Sequence, residues 1–261
     1  MAAPDDREQI APRPTRRYQH AEPFDEPRVM PLPPLTSDLE QAKNDLTEYG
    51  MCLVKDAISP ELLEQLREKF DAQVAAEERV LSDRFGRKFG KGKNALGNLT
   101  NKGAVFLELI DHEVVNELCG YVLGRSFLLS SETAHYYRGP ENTPQPLHRD
   151  QGFVPADAPF AAVLNIFWML DDFYPENGST HVVPGSHRWP AEHMIKPPAR
   201  ETITELVAPA GSVFAWDGRV WHGSGVNVDG TARRTIDTVS TCCPPRPSSL
   251  PSYLDDKVAN L

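Results

Sequence analysis

From about residue 125 onward the chain is a succession of short β-like runs with no helical period between them. SFLLSSETAHYY (126–137), AAVLNIFWML (161–170), STHVV (179–183), SVFAW (212–216) and RRTIDTVSTC (233–242) are separated by turn-rich stretches of Pro, Gly, Asn and Asp. Many short strands without intervening helices, preceded by helices, argue for a jelly roll or β-barrel buttressed by the N-terminal helices. Helical signals precede it. Ser37 is placed to cap a helix running through Tyr49 that Gly50 ends, and the apolar run MCLV (51–54) follows. Ser59-Pro60-Glu61 opens a longer helix with Leu62, Leu63, Leu66, Phe70 and Val74 at helical spacing, and HEVVNELCGYV (112–122) reads as a third. The expected fold is mainly β with N-terminal helices, a double-stranded β-helix (jelly roll, cupin-like barrel), whose mouth is the natural place for a ligand.

Eight of the 24 prolines fall within residues 1–34, mixed with charges of both signs and no apolar period. This predicts a disordered Pro-rich tail over 1–35 and a single domain over 36–261, with Pro244, Pro245, Pro247 and Pro251 making the C-terminus irregular. The 261 residues are ample for one core. A net charge of −10 argues against a nucleic-acid backbone as partner. The sequence has no apolar stretch of membrane-spanning length and no signal-like N-terminus, and its four cysteines contain no CxxC. These features predict a cytoplasmic protein with no membrane partner.

The chemistry-bearing residues cluster late. QPLHRDQGF (145–153) holds His148 and Asp150, which an extended strand points to one face. Alone, His-x-Asp is more often a solvated ion pair. His222 follows 74 residues later, just after an apolar strand and turn. Two histidines and one carboxylate make the facial set used for non-haem Fe(II), with three coordination positions left open. Eleven residues beyond His222 comes Arg233, a bidentate partner for a carboxylate; Arg234 is adjacent, and strand alternation lets only one face inward. ENGSTHVVPGSHRW (176–189) adds a turn whose Thr180 hydroxyl is available to a ligand oxygen.

In combination, QPLHRD, NGSTHVVPGSH and WHGSGVNVDGTARR resemble the phytanoyl-CoA dioxygenase family of Fe(II)/2-oxoglutarate oxygenases, most clearly over 145–235. The resemblance implies that His148, Asp150 and His222 bind iron, and that Arg233 holds the distal carboxylate of 2-oxoglutarate with help from Ser224. It adds Gln145 and Thr180 to the cosubstrate pocket, with Asn165 and Phe167 as weaker candidates. Fe(II), 2-oxoglutarate and O₂ are the implied cofactor and cosubstrates, a small molecule is the implied substrate, and a homodimer is compatible with the family. The retained Asp150 points away from halogenation, for which related enzymes surrender this carboxylate. Hydroxylation of an aliphatic C–H in a secondary metabolite or lipid-derived acid is the expected reaction. Desaturation, epoxidation or rearrangement at the same site, a zinc hydrolase, and a non-catalytic ligand-binding jelly roll are the alternatives.

Other features carry structural expectations. His181 and His187 read as structural, His135 as bordering the pocket or as a satisfied barrel residue, and Trp168, Trp216 and Trp221 as core or pocket wall. The segment 84–103 is basic and glycine-rich, with five Lys or Arg over 84–93, and is expected to be a loop: a lid for an anionic substrate or a solvated connector. Cys242 and Cys243 are expected to pack.

Overall fold

The computed structural model describes Tyr18 and residues 21–85, 92–138 and 144–242. In chain order the elements are β1 (Leu35–Thr36), α1 (Leu39–Tyr49), β2 (Met51–Val54), α2 (Pro60–Phe85), β3 (Gly92–Leu96), α3 (Ala104–Ile110), α4 (Glu113–Val122), β4 (Leu128–Arg138), β5 (Val163–Met169), β6 (Thr180–Val182), β7 (Thr204–Glu205), β8 (Val213–Asp217), β9 (His222–Ser224) and β10 (Arg233–Thr241). The strands form a seven-stranded sheet, ordered β1-β2-β8-β5-β10-β4-β3, and a three-stranded sheet, ordered β7-β6-β9. This is the expected jelly-roll architecture, with helices on one side.

Alternation along the strands sorts the large sheet into two faces. Ile166, Trp168, Ala215 and Ile236 pack outward against Leu46, Leu66, Phe70 and Leu118 of the helices in the main core. Residues of the opposite parity, Met51, Leu53, Met169, Phe214 and Trp216, turn inward and meet Val182 of the small sheet and Phe173. The second core therefore fills only part of the space between the sheets. The rest is polar and holds the site.

The helix ends follow local chemistry. Asp38, one residue after the expected cap, accepts from the Glu40 N–H at 2.9 Å, while Gly50 closes α1 with φ 72° and donates to the Leu46 carbonyl. A β-carbon at Gly50 would lie 2.4 Å from Nδ1 of His187. α2 and α4 stand where their periodicity puts them, whereas the short α3 went unforeseen.

Two sequence expectations need correction. Residues 92–96 of the basic segment are the edge strand β3, paired with β4 from Gly92↔Arg138 to Leu96↔Ala134, because Leu96 inserts into the main core. Residues 86–91 lie outside the described residues, so the lid reading of this segment is not addressed by the structure.

The stretch read as tail also holds firm contacts from Glu22 onward. Phe24 is buried; its N–H donates to the Arg188 carbonyl at 2.9 Å, and the Arg188 guanidinium lies 4.0 Å over its ring. Arg188 Nε donates to the Glu22 carbonyl and Trp189 Nε1 to that of Arg28, while the Tyr18 hydroxyl donates to buried Asp217 at 3.1 Å. Single anchors between prolines leave no apolar period, which is why the composition suggested disorder.

Candidate active site

An antiparallel bridge between His148 and His222 brings two distant segments together: His148 N–H donates to the His222 carbonyl at 2.8 Å, and His222 N–H returns the bond at 3.0 Å. The imidazoles lie 4.2 Å apart between ring centroids. Asp150 closes the set, with Oδ1 3.5 Å from His148 Nε2 and Oδ2 3.3 Å from His222 Nε2. One potential ligand atom from each of the three lies within 4.8 Å of the others.

The donor set fits Fe(II). His148 Nδ1 is 3.0 Å from the Pro146 carbonyl and His222 Nδ1 is 3.1 Å from the Val220 carbonyl. A carbonyl accepts only, so each Nδ1 carries the proton and each Nε2 keeps its lone pair toward Asp150. Burial works to raise the Asp150 pKa, but the donors and histidines around it outweigh that: the Trp216 N–H, and His148 and His222 whenever either ring takes up a second proton, hold the carboxyl below its ordinary value. A carboxylate and two neutral imidazoles on one side of a shared point are a facial triad in form.

The Asp150 carboxylate is also held from behind. Asn165 Nδ2 donates to Oδ2 at 2.6 Å and Trp216 Nε1 to the same oxygen at 3.2 Å. Asn165, expected as a cosubstrate contact, thus orients a metal-site carboxylate. Trp216, expected only as core or wall, was missed as a site residue. Both partners come from the inner rows of β5 and β8, where Asn165 and Trp216 stand opposite each other.

The triad borders a cavity of about 120 Å³ lined by Gln145, Phe167, Thr180, Ser224 and Arg233 among others. The register decides between the two arginines. Arg233 starts β10 facing inward, 2% exposed, with its guanidinium carbon 4.2 Å from the Tyr137 ring centroid and 4.6 Å from that of Phe173. Its Nε has no hydrogen-bond partner. Burial lowers its pKa, with Tyr137 and Asp171 opposing, but an arginine stays charged at any ordinary pH. This orphaned buried donor suits a carboxylate of a ligand. Arg234 faces the other way, bonded to Asp171 at 2.8 and 2.9 Å and to Asp71 at 2.8 Å.

Gln145 lies with its amide 3.1 Å from His148 Nε2, and its backbone N–H donates to Ser224 Oγ at 3.0 Å, leaving the serine proton to be given elsewhere. Thr180 is buried opposite Ser224 across the β6–β9 pair. Phe167 meets Trp216 edge-on at 4.7 Å and His135 at 6.0 Å, forming one aromatic wall.

The remaining expectations resolve individually. His187 is fully enclosed, 3.1 Å from the Thr47 carbonyl, and burial pushes its pKa down to about 4; His181 pairs with Glu205 at 3.4 Å. Both stand apart from the triad. Trp168 donates to Thr238 in the core, and Trp221 packs beside Phe24 and Trp189. Cys242 is partly buried, its N–H on the Ala162 carbonyl, and Cys243 lies outside the described residues.

A jelly roll carrying a two-histidine, one-aspartate cluster, with a buried arginine across the cavity, defines the iron- and 2-oxoglutarate-dependent oxygenase class. Within that class, the chain belongs to the phytanoyl-CoA dioxygenase family, whose model matches residues 46–235. Among curated relatives, the dioxygenase olcK of Penicillium canescens is 27% identical over 85% of this chain and 76% of its own length. The iron/alpha-ketoglutarate-dependent dioxygenase penM of Penicillium thymicola is 26% identical over 80% of this chain and 70% of its own. The chain spans 66% of the dioxygenase af480 of Aspergillus fumigatus and 64% of the dioxygenase FUM3 of Gibberella moniliformis. In fold it matches AviO1 from Streptomyces viridochromogenes with a TM-score of 0.62 and 21% identity, over 81% of this chain and 99% of that one.

Proposed function

We propose that the protein oxidises an aliphatic C–H bond of a small or medium organic molecule, most simply by hydroxylation, with 2-oxoglutarate as cosubstrate. Support comes above all from three metal-competent atoms meeting beside an orphaned arginine donor. His148 and His222 would present Nε2, and Asp150 its carboxylate, to Fe(II). Bound there, iron and 2-oxoglutarate supply O₂ activation coupled to decarboxylation of the cosubstrate to succinate and CO₂.

The chain's own residues do the positioning. Arg233 binds the distal carboxylate of 2-oxoglutarate, with the Ser224 and Thr180 hydroxyls and the Gln145 amide as further donors to its oxygens. The Nδ1 bonds of the two histidines keep their rings from turning, and the Asn165 and Trp216 donors keep Asp150 in place. Phe167, Trp216 and Tyr137 exclude water from the cavity and give the substrate an apolar surface.

Relatives named as dioxygenases support the oxidation itself, and the family resemblance supports a secondary metabolite or lipid-derived acid as substrate. The charge of −10 supports a small molecule over nucleic acid, and no described helix is long and apolar enough to cross a membrane. Free cysteines at 52, 119 and 242 fit a cytoplasmic setting. A homodimer stays part of the reading on family resemblance.

The deciding experiment measures Fe(II) and 2-oxoglutarate binding anaerobically, then succinate formation on admitting O₂. Binding of both, lost in His148→Ala and Asp150→Ala, is expected. A protein that binds neither, or that turns over substrates without O₂, would be a ligand-binding jelly roll or a hydrolase instead.

A further inference from the structure

One charged group lining the cavity has no part in holding iron or 2-oxoglutarate. Asp237 of β10 lies on the inner row, opposite Thr133 of β4 and Phe167 of β5. It is half-buried and lines the same cavity as the triad, as does His135, which stands opposite Thr235 two residues earlier on β10. Among the residues lining that cavity it is the one carboxylate besides Asp150.

Three observations separate it from cosubstrate binding. Asp237 is four residues along β10 from Arg233, about 13 Å of strand at ~3.3 Å per residue, which puts it far from the guanidinium that suits the distal carboxylate. A carboxylate also repels a dianion, so it cannot be a 2-oxoglutarate contact. The groups suited to that cosubstrate (Arg233, Ser224, Thr180 and Gln145) sit at the start of β10, on β6 and β9 and on the segment before His148. What Asp237 faces instead is the aromatic wall that runs from His135 through Phe167 to Trp216. A wall of rings with one acceptor in its midst is the usual form of a small-molecule subsite: apolar area for affinity, a single polar group for orientation.

The geometry points to Asp237 as the substrate-orienting acceptor, and to a substrate that offers it a hydroxyl or ammonium donor rather than a carboxylate. This deepens the oxygenase reading and rests on it. Across the strand pair, His135 frames the same subsite. A lipid-derived acid with its carboxylate at this end of the cavity is thereby disfavoured, and an amino- or hydroxyl-bearing molecule takes its place.

The test uses the full chain loaded with nickel and 2-oxoglutarate, titrated calorimetrically with three probes of one skeleton: phenethylamine, phenethyl alcohol and phenylacetate. The wild type is expected to bind the amine and the alcohol at least tenfold more tightly than the carboxylate. In Asp237→Asn the preference for the amine and the alcohol over the carboxylate should shrink to threefold or less while 2-oxoglutarate affinity stays within twofold. Equal or absent binding of all three probes, a preference for phenylacetate, or an unchanged preference in Asp237→Asn overturns the assignment. Loss of 2-oxoglutarate affinity in Asp237→Asn also overturns it, by making Asp237 part of the cosubstrate site. Failure of the wild type to take up nickel and 2-oxoglutarate is a separate result, seen before any probe is added, and counts against the oxygenase reading itself.

Discussion

The indole N–H of Trp216 donates to Oδ2 of Asp150 at 3.2 Å, and its ring lies 4.9 Å from that of His222. Asn165 bonds the same oxygen at 2.6 Å. One carboxylate oxygen is therefore tethered twice by protein, which biases the other toward the shared point of the triad. Trp216→Phe keeps the stacking on Phe214 and removes the N–H. It should weaken Fe(II) binding by about 10–100-fold, with Asn165→Ala in the same range. Equilibrium metal titration of the two variants checks this, and wild-type affinity in both would show the tethers to be idle.

Arg233 and Arg234 are neighbours that face opposite ways, one into the cavity and the other onto Asp171 and Asp71. Arg233→Ala is expected to raise the 2-oxoglutarate concentration needed for half-saturation by two to three orders of magnitude, the loss of about 3–4 kcal/mol that goes with a buried bidentate contact. Arg234→Ala should leave that requirement alone but lower stability by about 1–3 kcal/mol, because Asp171 loses its partner. Titration of 2-oxoglutarate and denaturant unfolding, run on both variants, separate the two effects.

Stability should lean in opposite directions at the two ends of the pH scale. His187 has its folded pKa pushed down to about 4 by burial, so between pH 6.5 and 4 the unfolded chain binds the extra proton and stability falls with acidification, by up to about 3 kcal/mol. Glu132, 2% exposed and with neither carboxyl oxygen bonded, has its pKa raised by burial to about 8. There the folded state holds the proton, so stability declines as the pH rises from 4.5 to 8. Glu132→Gln should flatten the alkaline limb and gain on the order of 1–3 kcal/mol at pH 8, with little change at pH 5. Urea midpoints across pH 4–9 read both limbs.

Gly50→Ala should destabilise by at least about 2 kcal/mol. The new methyl meets both a left-handed φ of 72° and the His187 ring at 2.4 Å. The same change at Gly124, also left-handed but with open space around it, should cost only the backbone portion, about 1 kcal/mol. Thermal unfolding of the pair distinguishes strain from collision.

How far sequence reaches here depends on how local each relationship is. The β runs, α1, α2 and α4 were legible because side-chain period and turn residues act over a few positions. His148, Asp150 and His222 could be grouped through the resemblance carried by QPLHRD and WHGSGVNVDGTARR, since His-x-Asp and a histidine 74 residues on give little signal alone, and the structure brings the three together. Arg233 and Arg234 could not be told apart until Asp171 was seen to hold one of them, 63 residues upstream of it. Trp216 and Asn165 gave no local signal for their bonds to Asp150, since those contacts span 66 and 15 residues and depend on two strands standing side by side. β3 gave no strand signal because Gly92, Lys93 and Asn94 open it, and its pairing is set by the edge β4 offers rather than by their own propensity.

The ordered N-terminal segment changes what counts as the smallest working piece. The family match begins at residue 46, yet Phe24 and Arg28 brace the Arg188–Trp189 turn, which packs on Trp221 beside the metal-site His222. Tyr18 reaches Asp217, the last residue of β8, one position past Trp216. The stretch covered by the family match and the stretch that packs behind the His148–Asp150–His222 cluster are therefore different lengths of chain. A fragment cut at residue 46 would keep His148, Asp150 and His222 while losing the brace behind the last of them.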